Sequence, residues 1–325
     1  MLEKKITYIC AQPAELYFAW QVEVLINNFI DMDIDLSQVH IVCSIKDEIP
    51  NDWLLLKENY NANFFFYKDT RKSVNYVSTI RPHILKKHFK ENSYLEDCAI
   101  FYHDCDIVFT HSPNEWLKKD LIDDEVCYGS NTNAYISYEY IKSKGDDILQ
   151  KMCEIIDIPI DVIKLNKVNG IGAQYLLKNI NSDFWERVES DSEKLYTEIM
   201  ILNNQKVKED RYTVPPDITR IPYNPLQIWC ADMWALLWNL WKLNKKTKVL
   251  NEFNFSWPIE SVNYWNERNI FHNSGVVTKS TEIFYKQSFT NKTPYKWVLP
   301  KPNKEICSWN YYKFIKQVGK KSVLI

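Results

Sequence analysis

The chain has 325 residues, 46% of them apolar and 25% charged, and 40 basic against 42 acidic side chains leave a formal net charge of −2. This is ordinary globular composition, and a chain of this length buries a sizeable core without disulfide or metal staples. The near-neutral balance excludes a generally basic nucleic-acid binder.

Ile6 to Ala11 (ITYICA) is a short apolar run rich in β-branched residues and reads as a buried strand. Pro13 suits the first turn of a following helix, whose apolar face is Phe18, Val22, Leu25, Ile26 and Phe29. Val39 to Ile45 is a second strand, Trp53 to Glu58 a short helix, and Asn63 to Tyr67 a third strand. Pro82 opens a helix through Phe89, and Ala99 to Tyr102 is a fourth strand. This alternation calls for an α/β fold, a mostly parallel sheet with helices on both faces. Such sheets bind ligands at the carboxyl ends of their strands.

Farther on, Val126 to Ser130 reads as a strand and Asp146 to Ile156 as a helix. Gly170 to Ala173 is a tight bend before a helical Gln174 to Asn179. Asp183 caps a long helix to Leu202, Pro215-Pro216 breaks the chain, and Leu236 to Leu243 is helical. Trp234, Trp238 and Trp241 share one helix face, which favours core packing. The last 50 residues read as loops that wrap back over the domain, with a short helix from Trp309 to Val318.

Eight cysteines are scattered without a C-x-x-C pair or zinc-like spacing, as expected of reduced core thiols in a cytosolic protein. The sequence displays no secretory leader and no apolar stretch of membrane-spanning length, so cytoplasmic action is expected. G-x-G-x-x-G and Walker A sequences are absent, which removes the phosphate cradles of dehydrogenases and P-loop enzymes.

The sharpest chemical signal is Phe101-Tyr102-His103-Asp104-Cys105-Asp106-Ile107-Val108-Phe109. Two carboxylates two residues apart in an extended chain point to the same side, where they can share a hard divalent cation bound to diphosphate oxygens. A solvated Asp-x-Asp turn is the bland alternative. Metal-dependent nucleotidyltransferases and phosphohydrolases also use paired aspartates, but bring further carboxylates or a basic phosphate loop, neither of which stands out here.

A strand running into an apolar-x-Asp-x-Asp-apolar stretch resembles the GT-A glycosyltransferases. Three more segments resemble that family in its own order: Asn169-Gly170-Ile171-Gly172-Ala173-Gln174, Gln227-Ile228-Trp229-Cys230-Ala231-Asp232-Met233 and Phe271-His272-Asn273-Ser274-Gly275. The resemblance spans roughly residues 6 to 290 and is nearest in character to hydroxyproline arabinosyltransferase- and serine galactosyltransferase-like sequences and their viral relatives. An AT-rich codon bias, visible as abundant Asn, Ile and Tyr and little Gly, fits a phage, a large virus or a low-GC bacterium. In a virus the site of action would be the host cytoplasm.

The resemblance implies a Rossmann-like GT-A domain over residues 1–290, with residues 291–325 as a C-terminal extension packed on the same domain. It implies Mn²⁺ or Mg²⁺ held by Asp104, Asp106 and His272, and a UDP-sugar or similar donor. Gly172 and Gln174 would lie beside the donor sugar, and Gln12 would meet the nucleotide at the end of the first strand. Arg81 and Lys286 are candidate diphosphate cations, and Tyr76 a candidate for stacking on the base. Asp232, between Trp229 and Trp234, would deprotonate or orient the acceptor hydroxyl. Each has an alternative: a surface ion pair for Arg81, a solvated amine for Lys286, a helix N-cap for Asp232, a structural imidazole for His272. The acceptor stays open between a hydroxymethylated pyrimidine in phage DNA, a glycan and a protein hydroxyl. The Lys-rich segments Lys242 to Lys248 and Lys316 to Lys321 matter only for DNA, where phosphate contacts supply affinity. A catalytically inactive sugar-nucleotide-binding protein is the alternative of another class.

Overall fold

The computed structural model describes residues 5–213, 222–276 and 278–325, so the expected break at Pro215-Pro216 lies outside the described residues. Seven strands form the main sheet: β1 (Ile6–Pro13), β2 (Val39–Ile45), β3 (Asn63–Lys68), β4 (Ala99–Tyr102), β6 (Cys127–Asn131), β7 (Ile171–Lys178) and β8 (Thr247–Val249). Their spatial order is β3-β2-β1-β4-β7-β6-β8. The first four in that order are mutually parallel, β7 runs antiparallel to both β4 and β6, and β8 is parallel to β6. The expected α/β architecture, a mostly parallel sheet flanked by helices, is therefore present.

Period-two alternation divides the core between the two faces. On β1 and β4, Ile9, Ala11, Ile100 and Tyr102 face one cluster, which holds α3 (Ile80–Glu91) and the Ser182–Thr213 and Ala231–Lys242 helices. Tyr8, Cys10, Ala99 and Phe101 face the other, which holds α1 (Leu16–Asp31), α2 (Asn51–Asn59) and the Ser308–Val318 helix. α1 and α3 thus cover opposite faces. That places a crevice beyond the carboxyl ends of β1 and β4, where open α/β sheets receive ligands.

A second, three-stranded sheet, β5 (Ile107–Phe109), β10 (Ile270–His272) and β9 (Phe255–Ser256), extends the fold beyond the Asp-x-Asp turn. Its antiparallel pairing sets His272 against Ile107, next in the chain to Asp106.

Three expectations need correction. Residues Gln174 to Lys178 are strand, not helix: β7 is buried on both faces, so no alternation marks it. Pro13 ends β1 rather than opening α1, which starts at Leu16. The long helix begins at Ser182 and is capped by Asn181, whose side chain accepts from the Phe184 amide at 3.0 Å, not by Asp183.

Trp234, Trp238 and Trp241 are buried in the core, and all eight cysteines are buried free thiols. The C-terminal helix packs Tyr311 on Phe271 and Phe284. Glu23, fully buried in α1, accepts from the Val323 amide and the Ser322 hydroxyl, both at 2.7 Å. Among the described residues, no helix is long and apolar enough to cross a membrane.

Candidate active site

β4 ends at Tyr102, and the turn that follows carries Asp104 and Asp106. Cys105 between them points into the core. β5 then pairs with β10, and the Asn273 amide donates to the Asp106 carbonyl at 3.0 Å. These backbone links bring His272 Nε2 to 3.4 Å from Asp104 Oδ2 and 3.2 Å from Asp106 Oδ1. One ligand atom from each of the three residues lies within 4.8 Å of the others. Two carboxylate oxygens and an imidazole nitrogen form a donor set suited to Mn²⁺ or Mg²⁺.

The surrounding charges are paired. Arg81, from the first turn of α3, donates to Asp104 Oδ1 at 2.5 Å and, through its other terminal nitrogen, to Asp232 Oδ2. Lys286 pairs with Asp106. Burial alone would raise the proton affinity of Asp106, but Lys286 and His272 outweigh it and hold the carboxyl well below the usual range. Asp104 is likewise lowered: burial opposes ionisation, and Arg81 and then His272 overcome it. Burial works against the His272 imidazolium, but Asp106 and Asp104 prevail and push its pKa up to about 9.

Gln174 is fully buried behind His272, its carboxamide 3.2 Å from Nδ1 and 3.4 Å from the Ser130 hydroxyl. A β-bulge aims it there: Gly129 opposes Tyr175 and Ser130 opposes Gly172, so Ala173 and Gln174 are extra, and Ala173 takes a φ of +60°. The expected place of Gln174 beside a donor sugar is thus corrected to one behind the imidazole. Gly172 is also out of contact with the cavities. It lies under Met233 and Thr132, and a Cβ there would stand 2.6 Å from a side-chain carbon of each. Its missing side chain leaves room for Thr132 and the end of Met233 against β7.

Tyr76 is buried, with one ring face on Tyr196 at 4.7 Å and its hydroxyl 2.7 Å from Asp232 Oδ1. It orients a carboxylate and offers no platform for a base. Asp232 falls within the first turn of its helix, with Cys230 at the N-cap, so it is not the cap.

Two cavities meet at Arg81, Asp104, His272 and Ser274. The smaller, about 300 Å³, lies against the end of β1 and contains Gln12, Tyr17, Asp106 and Lys286. Gln12 donates to the Val42 carbonyl at 3.1 Å, while its buried Oε1 has no partner among the described residues. The larger, about 430 Å³, contains Asp232 and a wall of aromatic rings. Sequence reasoning missed much of that wall, including Tyr135 and Trp257. Trp257 lies parallel to the His272 ring at 6.3 Å and packs over Gly275, whose φ of +76° and close approach to the indole both require glycine. No periodic or spacing signal marks Trp257 beforehand.

No protein-family model and no curated protein sequence matches the chain. Solved structures that align with the chain include the apo form of the bifunctional glycosyltransferase WbbM, with 9% identity and a TM-score of 0.48 over 99% of this chain and 52% of that one. The chain thus spans about half the length of WbbM. The galactosyltransferase LgtC, in complex with donor and acceptor sugar analogues, aligns over 97% of this chain and 96% of its own at 12% identity and a TM-score of 0.42. Mouse xyloside xylosyltransferase 1 aligns over 82% of this chain and 97% of its own, at 8% identity and a TM-score of 0.39. These proteins differ from the present chain at most positions, so the roles of its side chains follow from its own geometry.

Proposed function

We propose that the chain is a metal-dependent glycosyltransferase that moves a sugar from a nucleoside diphosphate, a UDP-sugar in the first instance, to an acceptor hydroxyl. The observation that carries this is the Asp104–Asp106–His272 cluster at the junction of two cavities, one lined by Lys286 and the other by Asp232. Arg81 borders both.

In this reading the smaller cavity takes the donor. Gln12 Oε1 is an acceptor for a nucleobase N–H, and Arg81 and Lys286 are donors for diphosphate oxygens. Asp104, Asp106 and His272 would hold Mn²⁺ or Mg²⁺. The chemistry such an ion would supply is neutralisation of the charge that develops on the leaving diphosphate. His272 can serve as a ligand only with Nδ1 protonated and turned to an acceptor. Gln174 supplies that acceptor when its carboxamide presents Oε1 to the ring.

In the transfer, the acceptor oxygen forms a bond to the anomeric carbon while the bond from that carbon to the diphosphate oxygen breaks. The bonding pair leaves with the nucleoside diphosphate. Asp232, oriented by Arg81 and Tyr76 and lining the larger cavity, takes the proton of the acceptor hydroxyl.

The test is turnover of a UDP-sugar panel with Mn²⁺, followed as donor hydrolysis and as transfer. Wild type turns over at least one donor, EDTA stops it, and Asp104→Ala stops it while the circular-dichroism spectrum stays native. Undiminished turnover in EDTA contradicts the proposal. Binding of UDP without hydrolysis or transfer of any donor would make this a sugar-nucleotide-binding protein instead.

A further inference from the structure

The larger cavity is unusual in its depth and in the chemistry of its wall. It runs from Asp104, His272 and Asp232 inward to Val188 and Leu236, in the seam between the Ser182–Thr213 and Ala231–Lys242 helices, both of which are core residues. Seven tyrosine, tryptophan and phenylalanine side chains line it, among them Tyr135, Tyr175, Trp185, Trp229 and Trp257. Two of these carry an orphaned polar atom. The Tyr175 hydroxyl and the Trp185 indole N–H are both buried, on residues 3% and 1% exposed, and neither has a hydrogen-bond partner among the described residues. Buried polar groups are normally paired, so two exceptions on one wall set it apart from ordinary core packing.

The wall also limits what the ligand can be. A pyranose carries a hydroxyl on most of its carbons, and each loses its water on entry and needs a partner in return. The charged groups Arg81, Asp104, Asp232 and His272 at the mouth are paired with one another, and the inner wall of Tyr175, Trp185, Val188 and Leu236 serves few of those hydroxyls. A flat aromatic body loses nothing there and gains ring-on-ring contact. The size is ample, since an apolar cavity of about 150 Å³ already holds benzene.

We infer that this cavity is the acceptor site and that it takes an alcohol borne on an aromatic ring system. The ring body lies among Tyr175, Trp185 and Leu236, and the hydroxyl is directed to Asp232 at the mouth. The assignment of the cavity to an acceptor rests on the glycosyl-transfer reading. The preference for an aromatic occupant rests on the wall alone.

The experiment therefore has two arms. In the first, ligand-observed NMR measures binding of benzyl alcohol, toluene and methyl glucoside to the protein without metal or donor. Benzyl alcohol binds wild type and methyl glucoside does not displace it. Filling the cavity with Leu236→Trp or Val188→Phe weakens benzyl alcohol by about tenfold or more. A native circular-dichroism spectrum and a cooperative thermal transition verify that each variant is folded. Equal benzyl alcohol binding in wild type and both filled variants, or displacement by methyl glucoside, overturns the proposal. In the second arm, Mn²⁺ and the UDP-sugar panel are added, and transfer to benzyl alcohol is expected to exceed transfer to methyl glucoside. The reverse order leaves glycosyl transfer standing and overturns the aromatic acceptor. Cavity binding without transfer from any donor overturns the acceptor assignment together with the glycosyl-transfer reading.

Discussion

The two cavities that meet at Asp104 and His272 are built from opposite chemistry. The one against β1 gathers Lys286, Asp106 and an orphaned amide oxygen on Gln12, while the one against the Ala231–Lys242 helix is walled by tyrosine and tryptophan. Arg81 lies on their border and forks between Asp104 and Asp232, one carboxylate of the metal cluster and one of the proposed acceptor side. On the glycosyl-transfer reading, the contrast assigns charge and apolar area to different halves of one reaction: fixed cations suit a diphosphate, and rings suit a body that sheds its water.

This division can be broken most forcefully at its centre. Asp106→Ala is expected to lower kcat/KM by about a thousandfold, a loss of the size seen when a transition-state electrostatic contact is removed. It also leaves Lys286 without its carboxylate partner. A loss confined to KM would show that Asp106 merely aids binding.

Gln174→Leu is the next largest step. It removes the hydrogen-bond partner of His272 Nδ1 and is expected to weaken Mn²⁺ activation by about ten- to a hundredfold, with activity recovered at high Mn²⁺. An unchanged Mn²⁺ dependence would detach Gln174 from the metal cluster.

Gly172→Ala sharpens the comparison by touching one side only. The new methyl group meets Thr132 and the end of Met233, so both side chains have to give way on the Asp232 side, at a stability cost of about 1–3 kcal/mol. Acceptor-side binding should suffer while the UDP affinity holds. Equal damage to both would mean that the cavities are coupled more tightly than their shared border suggests.

Acidification gives a control remote from both cavities. His40 Nδ1 and His88 Nε2 lie 2.9 Å apart, with Tyr94 and Tyr67 on the outer nitrogens. Burial pushes the pKa of His40 down to about 4 and that of His88, also opposed by His40, down to about 3. Both folded values lie below the unfolded value, so the stabilisation is complete above about pH 6.5 and is lost as the pH falls toward them. Between pH 6.5 and 5 each histidine should cost about 2 kcal/mol, read as a falling Tm. His88→Gln should flatten that slope without altering UDP affinity at pH 7.

How much of this was legible in the sequence differs between the two halves of the chain. β1 to β4 and the helices between them are regular units whose apolar runs and turn residues agree, and they lie within a few residues of where pattern alone puts them. β7 was misread because it is buried on both faces and its Gln-Tyr-Leu-Leu-Lys segment carries no period-two signal. The second sheet was not anticipated at all, since its strands are only two or three residues long. Yet the β5–β10 pairing is what delivers His272 to Asp106. The Asp-x-Asp spacing singled out Asp104 and Asp106, the family resemblance pointed to Asp232 and His272, and only long-range contacts show that they converge. Tyr76 and Gln174 were singled out as ligand contacts and instead orient Asp232 and His272, a distinction that depends on which side of a buried ring or strand a side chain occupies.

The central claim is that Asp104, Asp106 and His272 hold a divalent ion that binds a nucleoside diphosphate. Calorimetric titration of UDP with and without Mn²⁺, on wild type and Asp106→Ala, tests it directly. The account predicts UDP binding that requires Mn²⁺ in wild type and disappears in the variant. UDP affinity that is the same with Mn²⁺, with EDTA and in Asp106→Ala would contradict it.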